Sequence, residues 1–184
     1  RRKMANVQRI LHEGAVSPRA YPVKASVAQL DVGDFVYWDT GFQGNSSQDT
    51  IRPASSGSAG SSAADGRKQF ADLFVGVSRQ RHDVNSFDKN LLVSVDCEIE
   101  AIITNATGVD TAATADMDPG TNVAIAVNSL FVPLDDRVLV SGGPGSITVA
   151  DNESIGKVSR QIKNGDATVR VHIRGMHVFS QTGV

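Results

Sequence analysis

Three carboxylates stand in line at Asp96, Glu98 and Glu100, with Cys97 and Ile99 between them. Such a run could contribute to a hard-cation site, which collects about six to eight oxygens from several segments. A strand face in water accounts for it equally well, and all three read as surface residues. A looser acidic set, Asp110, Asp116 and Asp118, lacks the glycine position and closing glutamate of a calcium-binding hand. Gly142-Gly143-Pro144-Gly145-Ser146 has the composition of a phosphate cradle. That chemistry needs a helix N-terminus behind the glycines, whereas Ile147-Thr148-Val149 is strand-like, so a turn is expected. His12, His82, His172 and His177 are scattered, with His172 on the polar side of its strand beside Arg170 and Arg174. No serine occupies a Gly-x-Ser-x-Gly elbow. No catalytic, cofactor-binding or metal-ligating residue is assigned, and the chain is not read as an enzyme. A hydrolase with dispersed residues is the catalytic reading left over.

The elements around these residues repeat. Ile155 to Ile162, then Lys163-Asn164-Gly165-Asp166, then Val169, Val171 and Ile173 alternating with Arg170, His172 and Arg174, predicts a β-hairpin. Asn-Gly suits a type I′ turn, whose central residues both need positive φ. Upstream, Phe74 to Gln80 carries the same Val-Ser-Arg-Gln string behind a glycine, which aligns Val77 with Val158 and Arg79 with Arg160. A strand over Leu91–Thr104 follows, with Val93, Val95, Cys97 and Ile99 facing a core. Val32–Tyr37 and Leu134–Leu139 precede the two strings, and Val23–Val27 and Val123–Val127 lie further back. The predicted fold is all-β: a pseudo-duplicated barrel or sandwich of short antiparallel strands, with half-units at about 23–104 and 121–180. Arg79 and Arg160 then hold equivalent places, suited to bidentate contact with partner carboxylates or to a salt bridge across the barrel.

The chain has 184 residues and net charge −2, which offers no polyanion such as nucleic acid an obvious partner. A chain this long buries roughly 70% of its unfolded surface. Its charge is unevenly spread. Residues 1–24 hold Arg1, Arg2, Lys3, Arg9, Arg19 and Lys24 against Glu13, a basic segment on an acidic remainder. Residues 1–22 read as an N-terminal arm: Val7, Ile10 and Leu11 have helical spacing, and Gly14, Pro18 and Pro22 interrupt it. Such a segment is either a disordered terminus or a docking arm. The lone Cys97 excludes an internal disulfide and reads as a small buried hydrophobe. No apolar run approaches the ~18 residues of a membrane span, and no signal-peptide core follows the first basic residues, so a soluble protein folded without export is expected.

Gly41–Asp65 is rich in Gly, Ser and Ala and reads as a flexible loop inserted in the first half. A short helix is expected over Gly66–Leu73, with Phe70 and Phe74 one turn apart. Asn105–Gly120 reads as the joint between the halves. Further short strands are expected at Asn122–Val127, Arg137–Val140, Ser146–Val149 and Thr168–Phe179.

Three stretches carry a resemblance. They are Phe74-Val75-Gly76-Val77-Ser78 with Leu91–Ala101, then Val132–Val140, then Ser154–Gln161 with Gly165–Gly175. Together they resemble a family of tailed-bacteriophage capsid decoration, or cement, proteins built on a small β-barrel. The likeness spans about residues 70–175 and, more weakly, 23–40. It implies a protein without cofactors that binds the outside of the major capsid protein shell, bridges subunits, and sits as trimers at local threefold axes. Its location would be the virion surface, after synthesis in the host cytoplasm, with no membrane or nucleic-acid partner. The basic arm and the Gly/Ser insertion depart from the family pattern. Arg1, Arg2, Lys3, Val7, Arg9, Ile10, Leu11 and Arg19 are the expected partner contacts. A carbohydrate- or host-surface-binding β-module is the alternative, though such a module wants exposed aromatics and the chain offers few beyond Trp38, Tyr21 and Tyr37.

Overall fold

The computed structural model describes residues 9–14, 18–23, 29–39, 50–56, 61–84, 86, 89–105, 112–142 and 147–175. Eleven strands and one helix run through them: β1 Arg9–Glu13, β2 Arg19–Pro22, β3 Phe35–Trp38, β4 Ile51–Pro53, α1 Ala63–Leu73, β5 Phe74–Ser78, β6 Asn90–Ser94, β7 Asp96–Ile103, β8 Asn122–Val127, β9 Pro133–Val140, β10 Gly156–Val158 and β11 Thr168–Arg174. Short 3₁₀ turns lie at Ala54–Ser56 and Asp151–Glu153. The fold is all-β, as the alternation predicts. The alternating apolar residues Val93, Val95, Cys97, Ile99, Val169, Val171 and Ile173 are all buried.

The strands form two rings of the same design. In the first, β2-β6-β5-β3-β4 pair in that order, and a parallel bridge between Val23 and Ile51 brings the ends together. In the second, β7-β11-β10-β8-β9 pair in order, and β7 meets β9 in parallel to close the barrel. The correspondence extends to single residues. Val36 pairs with Gly76 and Pro53 as Val123 pairs with Gly156 and Val140. Ser78 pairs with Val93 as Val158 pairs with Val171. Leu30 bridges His82 as Met117 bridges Ile162, each with a glycine three residues on. Those glycines complete the match: Gly33 N–H donates to the Ser78 carbonyl at 2.8 Å, and Gly120 N–H to that of Val158 at 2.8 Å.

This ladder corrects the alignment suggested by the repeated string. Gly76 matches Gly156, so Val77 matches Lys157, and Arg79 matches Ser159 rather than Arg160. The reason is steric. A Cβ on Gly76 would strike the carbonyl of Ser94, and one on Gly156 the carbonyl of His172, at matching positions of the adjoining strands. The string begins in the ladder, at Val77 and Ser78 in one copy and Val158 in the other, and its Arg-Gln end runs out into exposed turns. The repeat boundaries move too. A bend at Val95 splits the single strand expected over 91–104 into β6, which ends the first ring, and β7, which begins the second. The structural counterpart of Val32–Tyr37 is Pro119–Ala124, not Leu134–Leu139. Residues 147–150 are irregular rather than strand.

The hairpin expected around Asn164-Gly165 is a wider connection. β10 ends at Val158 because Ile162 turns aside to pair with Met117. Gly165 has φ +95°, whereas Phe131 is the only non-glycine with positive φ among the described residues, so the turn is not type I′.

Residues 9–13 and 19–22 belong to the two sheets and not to a detached arm. β1 lies antiparallel on β7 and β2 on β6, so the two strands follow the 90–100 stretch across both barrels. Helical spacing of Ile10 and Leu11 yields here to the open edge of β7, whose backbone groups need partners. Tyr21 and Val23 are core residues of the first barrel.

Helix α1 joins the barrels. Ser62 caps it by accepting the Asp65 N–H at 3.2 Å, while the Asp65 carboxylate accepts from the Ser61 and Ser62 hydroxyls at 2.6 and 2.7 Å. Those hydrogen bonds, Ser61 first, hold the Asp65 pKa below 3.8. Gly66, Arg67 and Phe70 are its buried residues. Phe70 meets Tyr37 and Phe74 at ring separations of 5.7 and 5.6 Å. One continuous cluster runs from Phe35, Tyr37, Phe70 and Phe74 into Ile99, Val123, Ile155 and Val171 of the second barrel. Arg67 Nε donates to Glu153 at 2.7 Å, with both side chains largely buried, and ties α1 to the second barrel's 3₁₀ turn. Among the described residues no helix is long and apolar enough to cross a membrane.

Candidate functional site

The outer face of the second barrel gathers the polar chemistry of the chain. Ladder register places Asn122 opposite Lys157, Lys157 opposite His172, and His172 opposite Glu98, giving one polar row across β8, β10, β11 and β7. Lys157 Nζ donates to Asn122 Oδ1 at 2.8 Å, and Asn122 Nδ2 donates to Asp151 Oδ1 at 2.8 Å and to the Val149 carbonyl at 3.2 Å. Ser154 Oγ donates to the Gly156 carbonyl at 2.7 Å and so stabilises the start of β10. Asn122, Asp151, Ser154, Lys157 and His172, with the buried Ile155, line an open depression of about 540 Å³.

At its edge His172 Nε2 lies 2.6 Å from Asp96 Oδ1. Asp96, expected at the surface, is buried, with its side chain 3% exposed against 43% for His172. Position explains the burial. Asp96 opens β7 directly after the Val95 bend, and Gly14 N–H donates to its carbonyl while the Gly14 Cα leaves no room for a side chain beside the carboxyl. A histidine and a buried aspartate form two parts of an acid–base relay. Ser154, the hydroxyl in the same depression, is already committed to its own backbone, and no nucleophile completes the set among the hydrogen bonds described.

The other two carboxylates are on the strand between β11 and β1. Arg170 and His172 stand opposite Glu100 and Glu98 on β11, and Arg9 and His12 stand opposite the same pair on β1. Ser159 Oγ donates to Glu98, and Thr168 Oγ1 to Glu100 at 3.2 Å. Among the described residues no group of three or more His, Cys, Asp or Glu is arranged to hold a metal ion. Asp116 serves a turn instead, accepting from Lys163 Nζ at 2.8 Å and from the Asn164 N–H at 2.9 Å. Those bonds, the lysine's first, hold its pKa below 3.8. Cys97 is fully buried, and His82 is buried at the Leu30 bridge. Arg79 and Arg160 are exposed; Arg160 borders a second depression of about 360 Å³ with Glu100, Lys163, Asp166 and Arg170.

Of the expected partner contacts, Arg1, Arg2, Lys3 and Val7 lie outside the described residues, as do Asp110, His177 and residues 41–49 and 57–60 of the Gly/Ser loop; the rest of that expected flexible loop is instead β4, a 3₁₀ turn and the start of α1, held by the buried Ile51 and Ala54. Arg9 holds its register position opposite Glu100. Ile10 packs on the chain's own core, which removes it as a free anchor. Leu11 is 37% exposed, and Arg19 is exposed on β2. Sequence reasoning did not single out Asn122, Asp151, Ser154 or Lys157. Asp151, Ser154 and Lys157 share the stretch 151–157, and ladder register brings Asn122 of β8 alongside it. No protein family and no curated protein matches the chain in sequence.

Proposed function

We propose that this chain is a decoration protein of a tailed-phage head, bound to the outer face of the major capsid shell and bridging its subunits. The observation that carries the reading is the duplication itself. Two barrels of one register are locked by a shared core and by the Arg67–Glu153 pair into a single body. Such a body presents two similarly built lobes at a fixed spacing, and separating two subunits beneath it loads both lobes. An interface of roughly 800 Å² per partner is enough when repeated over a shell. The resemblance carried by β5–β7 and β9–β11 points the same way, and adds trimers at local threefold axes. Leu11, Arg19 and the basic residues Arg1, Arg2 and Lys3 are the contacts this reading favours. The carbohydrate reading has less support, because Tyr21 and Tyr37 are buried and Trp38 is half-buried edge-on to Tyr21, 5.4 Å between ring centres.

The test is co-sedimentation with assembled heads over a salt series, using the full chain and a chain lacking residues 1–8. That deletion spares β1 and β2, which the fold needs. Bound protein should raise the temperature at which heads open. Loss of residues 1–8 should weaken binding and flatten its salt dependence, since exposed charges are screened beyond about 8–10 Å. Failure of the full chain to bind any head at low salt sinks the reading.

A further inference from the structure

We propose that the depression on the second barrel binds a carboxylate, held between the Lys157 ammonium and the His172 imidazole. These side chains face one another across the β10–β11 ladder and border the same space. The hydrogen bond of Lys157 goes to a neutral amide oxygen, so the positive charge is not cancelled there. Asn122 stands between Lys157 and Asp151, its N–H occupying Asp151 Oδ1, and keeps the two charges from meeting. The buried Asp96 fixes the ring of His172 through Nε2 and leaves Nδ1 as the other polar ring atom, a donor when the imidazole is charged. An ammonium and an imidazolium converging on one anion give the charge-assisted bonds that carboxylates favour.

The first barrel supplies an independent observation. Its matching row, Phe35, Val77 and Ser94, is wholly buried, and Phe35 and Val77 belong to the core shared by the two barrels. The fold therefore already uses this face for contact once, and the second copy is open and polar. The carboxylate could belong to an acidic side chain on a protein or to a small free acid. The site stands apart from the proposed capsid role and would survive its failure.

The charges in and around the depression set the affinity, with the His172 ring at its edge. The groups around that ring are Asp96 and Glu98 on β7, Lys157 on β10 and Asp151 across the depression. Asp151 opposes an incoming anion, which yields a prediction of opposite signs: Lys157→Met weakens binding and Asp151→Asn tightens it.

The experiment is NMR of His172 and Lys157 side chains in the full chain, titrated with acetate, succinate and a blocked glutamate peptide against sodium chloride at equal ionic strength. Saturable shifts confined to this site are expected, with affinity lost roughly ten- to a hundredfold in Lys157→Met. Tighter binding of the blocked peptide assigns the carboxylate to a protein side chain, and tighter binding of the free acids assigns it to a small molecule. Both variants are on exposed positions, and unchanged backbone spectra elsewhere verify their folding. Shifts equal to those from chloride, or a Lys157→Met titration identical to the parent's, overturn the proposal.

Discussion

The two barrels share one backbone ladder and put opposite chemistry on it. Phe35, Val77 and Ser94 in the first correspond to Asn122, Lys157 and His172 in the second. Tyr37 corresponds to Ala124 and Arg52 to Leu139. The first barrel places aromatic bulk beneath α1, while the second buries Ala124 and Leu139 against Val149 and leaves Asn122, Lys157 and His172 bordering open space. A third barrel could not add to that face as the second adds to the first, because burying Lys157 unpaired would be costly. Even the insertions correspond: α1 lies between β4 and β5, the 3₁₀ turn Asp151–Glu153 lies between β9 and β10, and Arg67 and Glu153 join them. Ladder register is thus the conserved quantity between the copies, and face chemistry is what distinguishes a half that packs inward from one that meets solvent.

If the shared core makes the pair one cooperative unit, the largest losses come from cutting between the barrels. Phe70→Ala should cost about 3–5 kcal/mol through the cavity it leaves. The lone Trp38 reports the first barrel, so its fluorescence and far-ultraviolet circular dichroism should give coincident urea transitions in the parent. Separate transitions in the parent would break the picture of one body. Arg67→Met alone should cost about 3–5 kcal/mol by stranding Glu153, and the double variant Arg67→Met, Glu153→Leu should recover most of that loss. A double variant as weak as the single would mean that helix packing, and not charge pairing, sets the cost.

Gly76→Ala and Gly156→Ala probe the register directly. Each should cost about 1–3 kcal/mol by forcing apart two strands, with Gly76→Ala the larger loss because Gly76 also holds φ +155°. A neutral change at either glycine would undo the residue-level correspondence.

What sequence made legible follows from where information is local. Alternation at 93–99 and 169–173 identifies core faces because it depends on neighbours two residues apart. The Val-Ser-Arg-Gln string marks a real duplication but shifts it by one residue, since its Arg-Gln end lies past the ladder and the steric constraint is on the glycine before it. The match of β2 with β7 has no echo in residue type, Arg-Ala-Tyr-Pro against Ile-Glu-Ala-Ile, and rests on hydrogen bonds alone. Asp96 illustrates another limit. Alternation assigns it to the wet face, and burial comes from Gly14, more than eighty residues away. The depression around Lys157 is the same kind of feature, assembled from β8, a 3₁₀ turn, β10 and β11.

The smallest predicted effect is at the turn where each barrel begins its second strand. Asp116 precedes the Met117 bridge, and its counterpart before the Leu30 bridge is Gln29. Asp116 bonds Lys163 and the Asn164 N–H, whereas Gln29 Nε2 donates to Asp31 at 2.8 Å. A carboxylate whose folded pKa lies below its reference of 3.8 binds fewer protons folded than unfolded between the two values. Its stabilisation is therefore fully present above about pH 4 and fades as pH falls through the lower, folded value. Gln29 has no proton to gain, so the first barrel lacks this acid-sensitive contribution at the matching place. Asp116→Asn should lower stability slightly at pH 6, by less as the pH falls, and so reduce the slope of stability against pH across the acid range. Urea midpoints of the parent and Asp116→Asn at several pH values between 6 and 2 measure it. Parallel curves for parent and Asp116→Asn would show that the Lys163 contact contributes nothing to the folded chain.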